Sequence, residues 1–128
     1  MPYLLDTNIL IDLRDGEPTI TGRVAALEGA ILMSIISRVE LEGGVHRDPG
    51  QAGARRSRLD AILQSLPVLA FDDAAADAYR TIVEAAGYSR RKLLDRMISA
   101  QALVHRATLV TRNPADFQDV PGLDLLAW

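Results

Sequence analysis

Apolar positions along the chain fall into two rhythms. Short unbroken runs at Tyr3–Leu5, residues 30–36, residues 68–71 and Thr108–Thr111 read as strands, because a strand covered on both faces of a sheet has no polar side. Between them the apolar residues recur every three or four positions, which is the helical period. Ile9, Leu10, Ile11 and Leu13 follow the first run, then Ile20, Val24 and Leu27; later come Leu59, Ile62, Leu63 and Leu66, then Ala75, Ala78, Tyr79, Ile82 and Val83, and finally Leu94, Met97, Ile98 and Ala102. Residues 123–127 predict a fifth strand at an edge. Glycine and proline punctuate the pattern at Gly16, Pro18, Gly29, Pro67 and Gly87; Ser37 is expected to open a helix that stops at Gly43-Gly44, with a loop over residues 46–54. Strands alternating with helices predict one α/β domain: a mostly parallel sheet of about four to five strands, helices on both faces, and the first strand in a central place.

Four carboxylates stand where this architecture puts chemistry. Asp6 ends the first strand and begins a helix, at the carboxyl edge where parallel sheets bind ligands; the same position suits a helix cap. Glu40 lies three residues after Ser37, the spacing of a capping box, yet a Glu one turn into a helix leaving the sheet edge also reaches toward Asp6. Asp95 adjoins the apolar face of its helix, where a first-turn acid also suits the helix dipole. Asp116 follows the fourth strand just after the Asn113-Pro114 turn. Gathered at one rim, such charges about 4 Å apart repel by roughly 1 to 4 kcal/mol per pair, so a cation must offset them. With no cysteine and no histidine at ligand spacing, the donors are oxygens, which select a hard ion such as Mg²⁺ or Mn²⁺. Metal-assisted phosphodiester hydrolysis is the chemistry this implies.

Composition narrows the setting. The 128 residues, 48% hydrophobic and 24% charged, suit one globular domain. No signal peptide and no apolar run near the roughly 18 residues of a membrane span are evident, so a soluble, cytoplasmic protein is expected. A net charge of −3 excludes binding a polyanion through global charge. Local clusters remain: Arg55-Arg56-x-Arg58, and Arg90, Arg91 and Lys92 with Arg96, the second lying beside Asp95. Aromatic residues are few, which favours reading RNA shape and phosphates over base stacking.

Taken in order, Leu-Leu-Asp6-Thr7-Asn8, Ser37-x-x-Glu40, Asp95-Arg-Met-Ile-Ser-Ala-Gln-Ala and Thr108-Leu-Val-Thr111-Arg-Asn113-Pro-Ala-Asp116-Phe117 resemble the PIN-domain ribonucleases, and more narrowly the VapC toxins of bacterial type II toxin–antitoxin modules. The resemblance runs the length of the chain. It implies a Mg²⁺- or Mn²⁺-dependent endoribonuclease, an RNA substrate such as tRNA, a VapB-like antitoxin that blocks the pocket, and a homodimer to which the alanine-rich helix over residues 74–86 contributes. By motif, Asp6 and Asp95 match metal ligands, and Glu40 matches an acid that binds metal or orients the attacking water. Asp116 is taken as the fourth acid and a metal ligand, since Asn113 stands where many members carry an acid. Thr7, Asn8, Thr111 and Asn113 match supporting polar positions, and Arg90, Arg91, Lys92 and Arg96 are the RNA-binding candidates. A catalytically silent PIN-fold module that binds RNA or protein is the alternative. A phosphoacceptor receiver domain fits less well: Asp72-Asp73 follow the third strand, but the first strand carries a single Asp and no Lys follows the last.

Overall fold

The structure, a computed structural model, describes residues 1–128. Its strands are β1 (Tyr3–Leu5), β2 (Ile31–Ser34), β3 (Val68–Leu69), β4 (Thr108–Thr111) and β5 (Leu125–Ala127). They form one sheet of order β3-β2-β1-β4-β5 in which every pairing is parallel. The helices are α1 (Thr7–Arg14), α2 (Pro18–Ala26), α3 (Ile35–Arg47), α4 (Ala52–Ser65), α5 (Asp73–Ala86) and α6 (Leu93–Val104).

Central β1 shows why both faces are covered. Successive side chains of a strand point to opposite faces, and here Leu5 enters one core with Met33, Val110 and residues of α1, α2, α3 and α4, while Leu4 enters a second with Leu109, Ile98 of α6 and Phe117. Leu4 and Leu5 are both fully buried, as are Leu109 and Val110. Each such leucine contributes about 1.5–3 kcal/mol through burial alone. α5 packs outside α6 through Ile82 and Ala100. No helix is long and apolar enough to cross a membrane.

Register carries the sheet's order to its carboxyl edge. Leu5 is level with Met33 on one side and Val110 on the other, so the next residues, Ser34, Asp6 and Thr111, form a polar row across the ends of β2, β1 and β4. All three are buried.

Several predicted boundaries move. β2 stops at Ser34 rather than residue 36, because the Ser34 hydroxyl accepts a hydrogen bond from Ile36 N (2.9 Å) and caps α3. The cap is therefore Ser34, not Ser37, and no capping box forms with Glu40. α3 also runs through Gly43-Gly44 to Arg47, since neither glycine adopts positive φ. A Cβ on Gly44 would stand 3.2 Å from Arg14 Nη1, so the glycine serves the close approach of α1 and α3 rather than a helix end. The predicted loop over residues 46–54 is instead the end of α3, a single 3₁₀ turn at Pro49–Gln51 and the start of α4. β3 is only two residues long: the carbonyls of Leu69 and Ala70 accept from Gln101 Nε2 (3.0 and 3.1 Å), so a side chain of α6 replaces further strand pairing.

Candidate active site

Asp6 is both a cap and a pocket residue. Its backbone continues the β1–β4 ladder (Asp6 N to Val110 O, 2.9 Å), and its carbonyl accepts from Ile9 and Leu10 as α1 begins. The side chain is held at both oxygens: Oδ1 accepts from Thr7 N (2.8 Å) and Oδ2 from the Thr111 hydroxyl (2.7 Å). Thr111 Oγ1 also accepts from Asn113 N (3.0 Å), tying the turn after β4 to Asp6. Each carboxylate oxygen retains a second lone pair.

Four acids line one cleft of about 240 Å³: Asp6, Glu40, Asp95 and Asp116, together with Thr7, Asn8, Ile11 and Asn113. They come from the start of α1, the second turn of α3, the first turn of α6 and the 3₁₀ turn Pro114–Phe117. A larger cleft of about 460 Å³ between α1 and α4 is lined by Leu13, Ile62 and Leu66 and holds no carboxylate; the acids mark the chemically relevant one. Exposed Glu40 does not return to a helix amide. Its Oε1 accepts from Thr7 Oγ1 (2.8 Å). Because a hydroxyl has one proton, Thr7 must then accept from Ser37 Oγ (2.8 Å), giving an ordered line Ser37 to Thr7 to Glu40. Sequence reasoning assigned Ser37 a cap and missed this role, which depends on α1 and α3 lying side by side.

Electrostatics bind these acids into one unit. Asp95 is pushed up to about 6, first by burial, then by the charges of Asp6, Asp116 and Glu40, against a smaller opposing effect of Lys92. Burial also raises Asp6, with Asp116 adding to the rise, while the bonds from Thr111 and Thr7 counteract it. The donors are oxygen throughout, and Asn8 Oδ1 in the same cleft is buried without a hydrogen-bond partner. These residues fit a hard divalent cation, although no three acidic side chains close around one point as a preformed cage.

The basic candidates separate. Arg90 and Arg91 are exposed and free of ion pairs just before α6. Lys92 Nζ bonds Asp119 Oδ2 (3.0 Å). Arg96 corrects the expectation of an RNA contact: it is 3% exposed, with Nη2 on Asp119 Oδ2 (2.9 Å) and Nη1 on the Gly87 carbonyl. Its position in the helix turns it inward, where it joins the end of α5 to the segment after β4.

A parallel sheet of this order with an acidic pocket at the end of its central strand defines an α/β domain of the PIN type, and the chain belongs to the PIN-domain family, whose model matches residues 3–123. Within that family it is VapC-like. It is 31% identical to Ribonuclease VapC2 of Rickettsia felis, an alignment covering all of this chain and 98% of that protein. The structure is similar to that of VapBC2 from Rickettsia felis bound to a DNA fragment from their promoter, with TM-score 0.85, 29% identity, and coverage of 100% of this chain and 99% of that one. VapBC-1 from nontypeable Haemophilus influenzae matches with TM-score 0.79 and 27% identity, covering 100% and 98% of the respective chains.

Proposed function

We infer that the chain is an endoribonuclease acting as the toxin of a toxin–antitoxin module, and that it depends on Mg²⁺ or Mn²⁺. The observation that carries this reading is the gathering of Asp6, Glu40, Asp95 and Asp116 in one cleft, with Asp95 held up to about 6 by burial and its acidic neighbours. Similarity to a ribonuclease of the VapC type supports it.

Asp6, Asp95 and Asp116 would hold the cation, with Asn8 and Asn113 as neutral oxygen donors at the cleft wall. When bound, such an ion lowers the pKa of its water and stabilises charge on the phosphate oxygens. Thr111 fixes the orientation of Asp6 from one side and the turn bearing Asn113 from the other. Glu40 has one oxygen committed to Thr7, which leaves Oε2 to accept a proton from the attacking water. Arg90 and Arg91 contact the RNA backbone near α6, with Lys92 held beside them by Asp119. The substrate class is structured RNA such as tRNA. A VapB-like antitoxin covers the pocket, in keeping with the VapBC complexes among the similar structures. The alanine-rich α5 contributes to a homodimer, and the protein works in the cytoplasm.

Purified protein incubated with total RNA and Mn²⁺ or Mg²⁺, against EDTA and an Asp95→Asn control, tests this reading. Discrete fragments that vanish in both controls are expected. Intact RNA in every sample, together with no binding of Mn²⁺, would instead indicate a silent binding module.

A further inference from the structure

A second cleft, of about 290 Å³, opens beside the acidic one and shares Thr7, Ile11 and Glu40 with it. Its remaining lining is Arg14, Asp15, Gly44, Arg47 and Arg55, so three guanidinium groups face two carboxylates immediately next to a pocket that has four carboxylates and no cation. These arginines come from the end of α1, the end of α3 and the start of α4.

The cleft is built rather than incidental. Arg14 is 5% exposed and braced by Asp15, its Nε lying 3.0 Å from Oδ1. Gly44 leaves room for its Nη1, since a Cβ there would lie at 3.2 Å. Arg55 Nη1 donates to the Gly44 carbonyl (2.9 Å), which pins the guanidinium to the cleft wall and leaves its other N–H groups without a protein acceptor. Neither Arg55 nor Arg47 forms an ion pair, whereas neighbouring Arg56 is neutralised by Glu42 and Asp60. The cluster Arg55-Arg56-x-Arg58 therefore does not act as one patch: Arg55 lines this second cleft, Arg56 turns toward its own salt bridges, and Arg58 lines the larger cleft.

An acidic pocket that cleaves a polyanion needs positive charge where the neighbouring phosphates lie. We propose that the Arg14–Arg47–Arg55 cleft is the subsite for the RNA phosphate next to the scissile one, so that the strand leaves the acids over the Thr7–Glu40 pair toward α3 and α4. Arg47 and Arg55 contact the phosphate oxygens, and Arg14 positions the wall between them. This rests on the ribonuclease reading above. Planar guanidinium groups suit phosphate bidentately, as lysines do not.

The test measures binding of a short fluorescently labelled single-stranded RNA by anisotropy across a salt series, in the Asp95→Asn background so that the RNA survives. Its arms carry Arg47→Gln with Arg55→Gln, and Arg90→Gln with Arg91→Gln. Loss of the contact to that one phosphate should weaken binding about tenfold at low salt and flatten the slope of log K against log salt by about 0.7. Arg47 is exposed and Arg55 half-buried, and the one protein bond lost is that from Arg55 to the Gly44 carbonyl, so the melting temperature should fall by no more than about 5 °C and separate contact loss from unfolding. Unaltered affinity and slope in a chain whose wild type cleaves total RNA would overturn the subsite while leaving the ribonuclease reading intact. So would RNA affinity that is kept while affinity for the antitoxin is lost, which would assign the cleft to an acidic protein segment. A wild type that neither cleaves nor binds RNA defeats the ribonuclease reading and the subsite with it.

Discussion

Replacing Asp95 by Asn should make the metal-free protein more stable while abolishing cleavage. Asp95 makes no side-chain hydrogen bond in its own helix; only its backbone carbonyl is used, by Ser99. Asn therefore keeps the shape and removes the charge that burial and three carboxylates oppose. Raising a carboxyl from 3.8 to about 6 corresponds to about 3 kcal/mol against the ionised form at neutral pH. The side chain is half-exposed, and solvent screening reduces this to about 1.5 kcal/mol. Loss of a negative charge in the first turn of α6 subtracts about 0.5 kcal/mol, leaving a gain of about 1 kcal/mol. For a chain of 128 residues this raises the melting temperature by roughly 4 °C. The sign follows from linkage: a folded pKa above the unfolded one favours the folded state at low pH and costs stability as pH rises from 3.8 through about 6. At pH 4.5 only about a third of the ionisation penalty remains, so the variant's advantage should shrink there. Thermal and urea unfolding in EDTA at pH 7.5 and pH 4.5 measure both quantities. A variant no more stable than wild type at pH 7.5, or equally favoured at both pH values, would refute the claim that these acids repel one another.

Divalent-metal affinity should fall about tenfold per pH unit below about 6, as the proton competes for Asp95, and calorimetry in buffers of different ionisation enthalpy should show proton release. Affinity independent of pH between 5 and 7 would sink that expectation. Thr111→Val, at a buried position, leaves Asp6 Oδ2 and Asn113 N without a partner; stability should drop by about 1–3 kcal/mol, and the pH midpoint of metal binding should move up because a bond that lowers the Asp6 pKa is gone. Urea titration and metal titration read the two effects separately. Arg96→Met should cost about 2 kcal/mol by taking the donor from the Gly87 carbonyl and leaving half-exposed Asp119 with Lys92 alone, yet leave RNA affinity at wild-type level; reduced RNA binding with undiminished stability would return Arg96 to the RNA-binding surface.

The strands, their parallel pairing and the central place of β1 were legible because a strand buried on both faces has to be apolar throughout, as Leu4-Leu5 and Leu109-Val110 are. Asp6 and Asp116 could be picked out because each follows such a run at the end where α/β sheets leave a crevice, and Asp95 because it adjoins the apolar face of its helix. The carboxyl-edge row of Ser34, Asp6 and Thr111 follows from register, which no local pattern reports. Ser37 illustrates the limit: its spacing to Glu40 matches a capping box, but Ser34 reaches the helix amide first, and the packing of α1 against α3 gives Ser37 and Glu40 to Thr7 instead.

What the sequence by itself determined is the set of buried runs, the helix periods between them and the acids that a parallel sheet must bring to one rim, because apolar burial dictates where each run goes. Only the tertiary structure decided how charges meet. Arg96 and Arg90 are six residues apart in one basic stretch, yet one is locked inside against Asp119 and the other stands in solvent; Arg14, Arg47 and Arg55 come from three helices and meet in one cleft. Helix phase and interhelical packing fix these outcomes, and Coulomb energy at such short range depends on the distances they set.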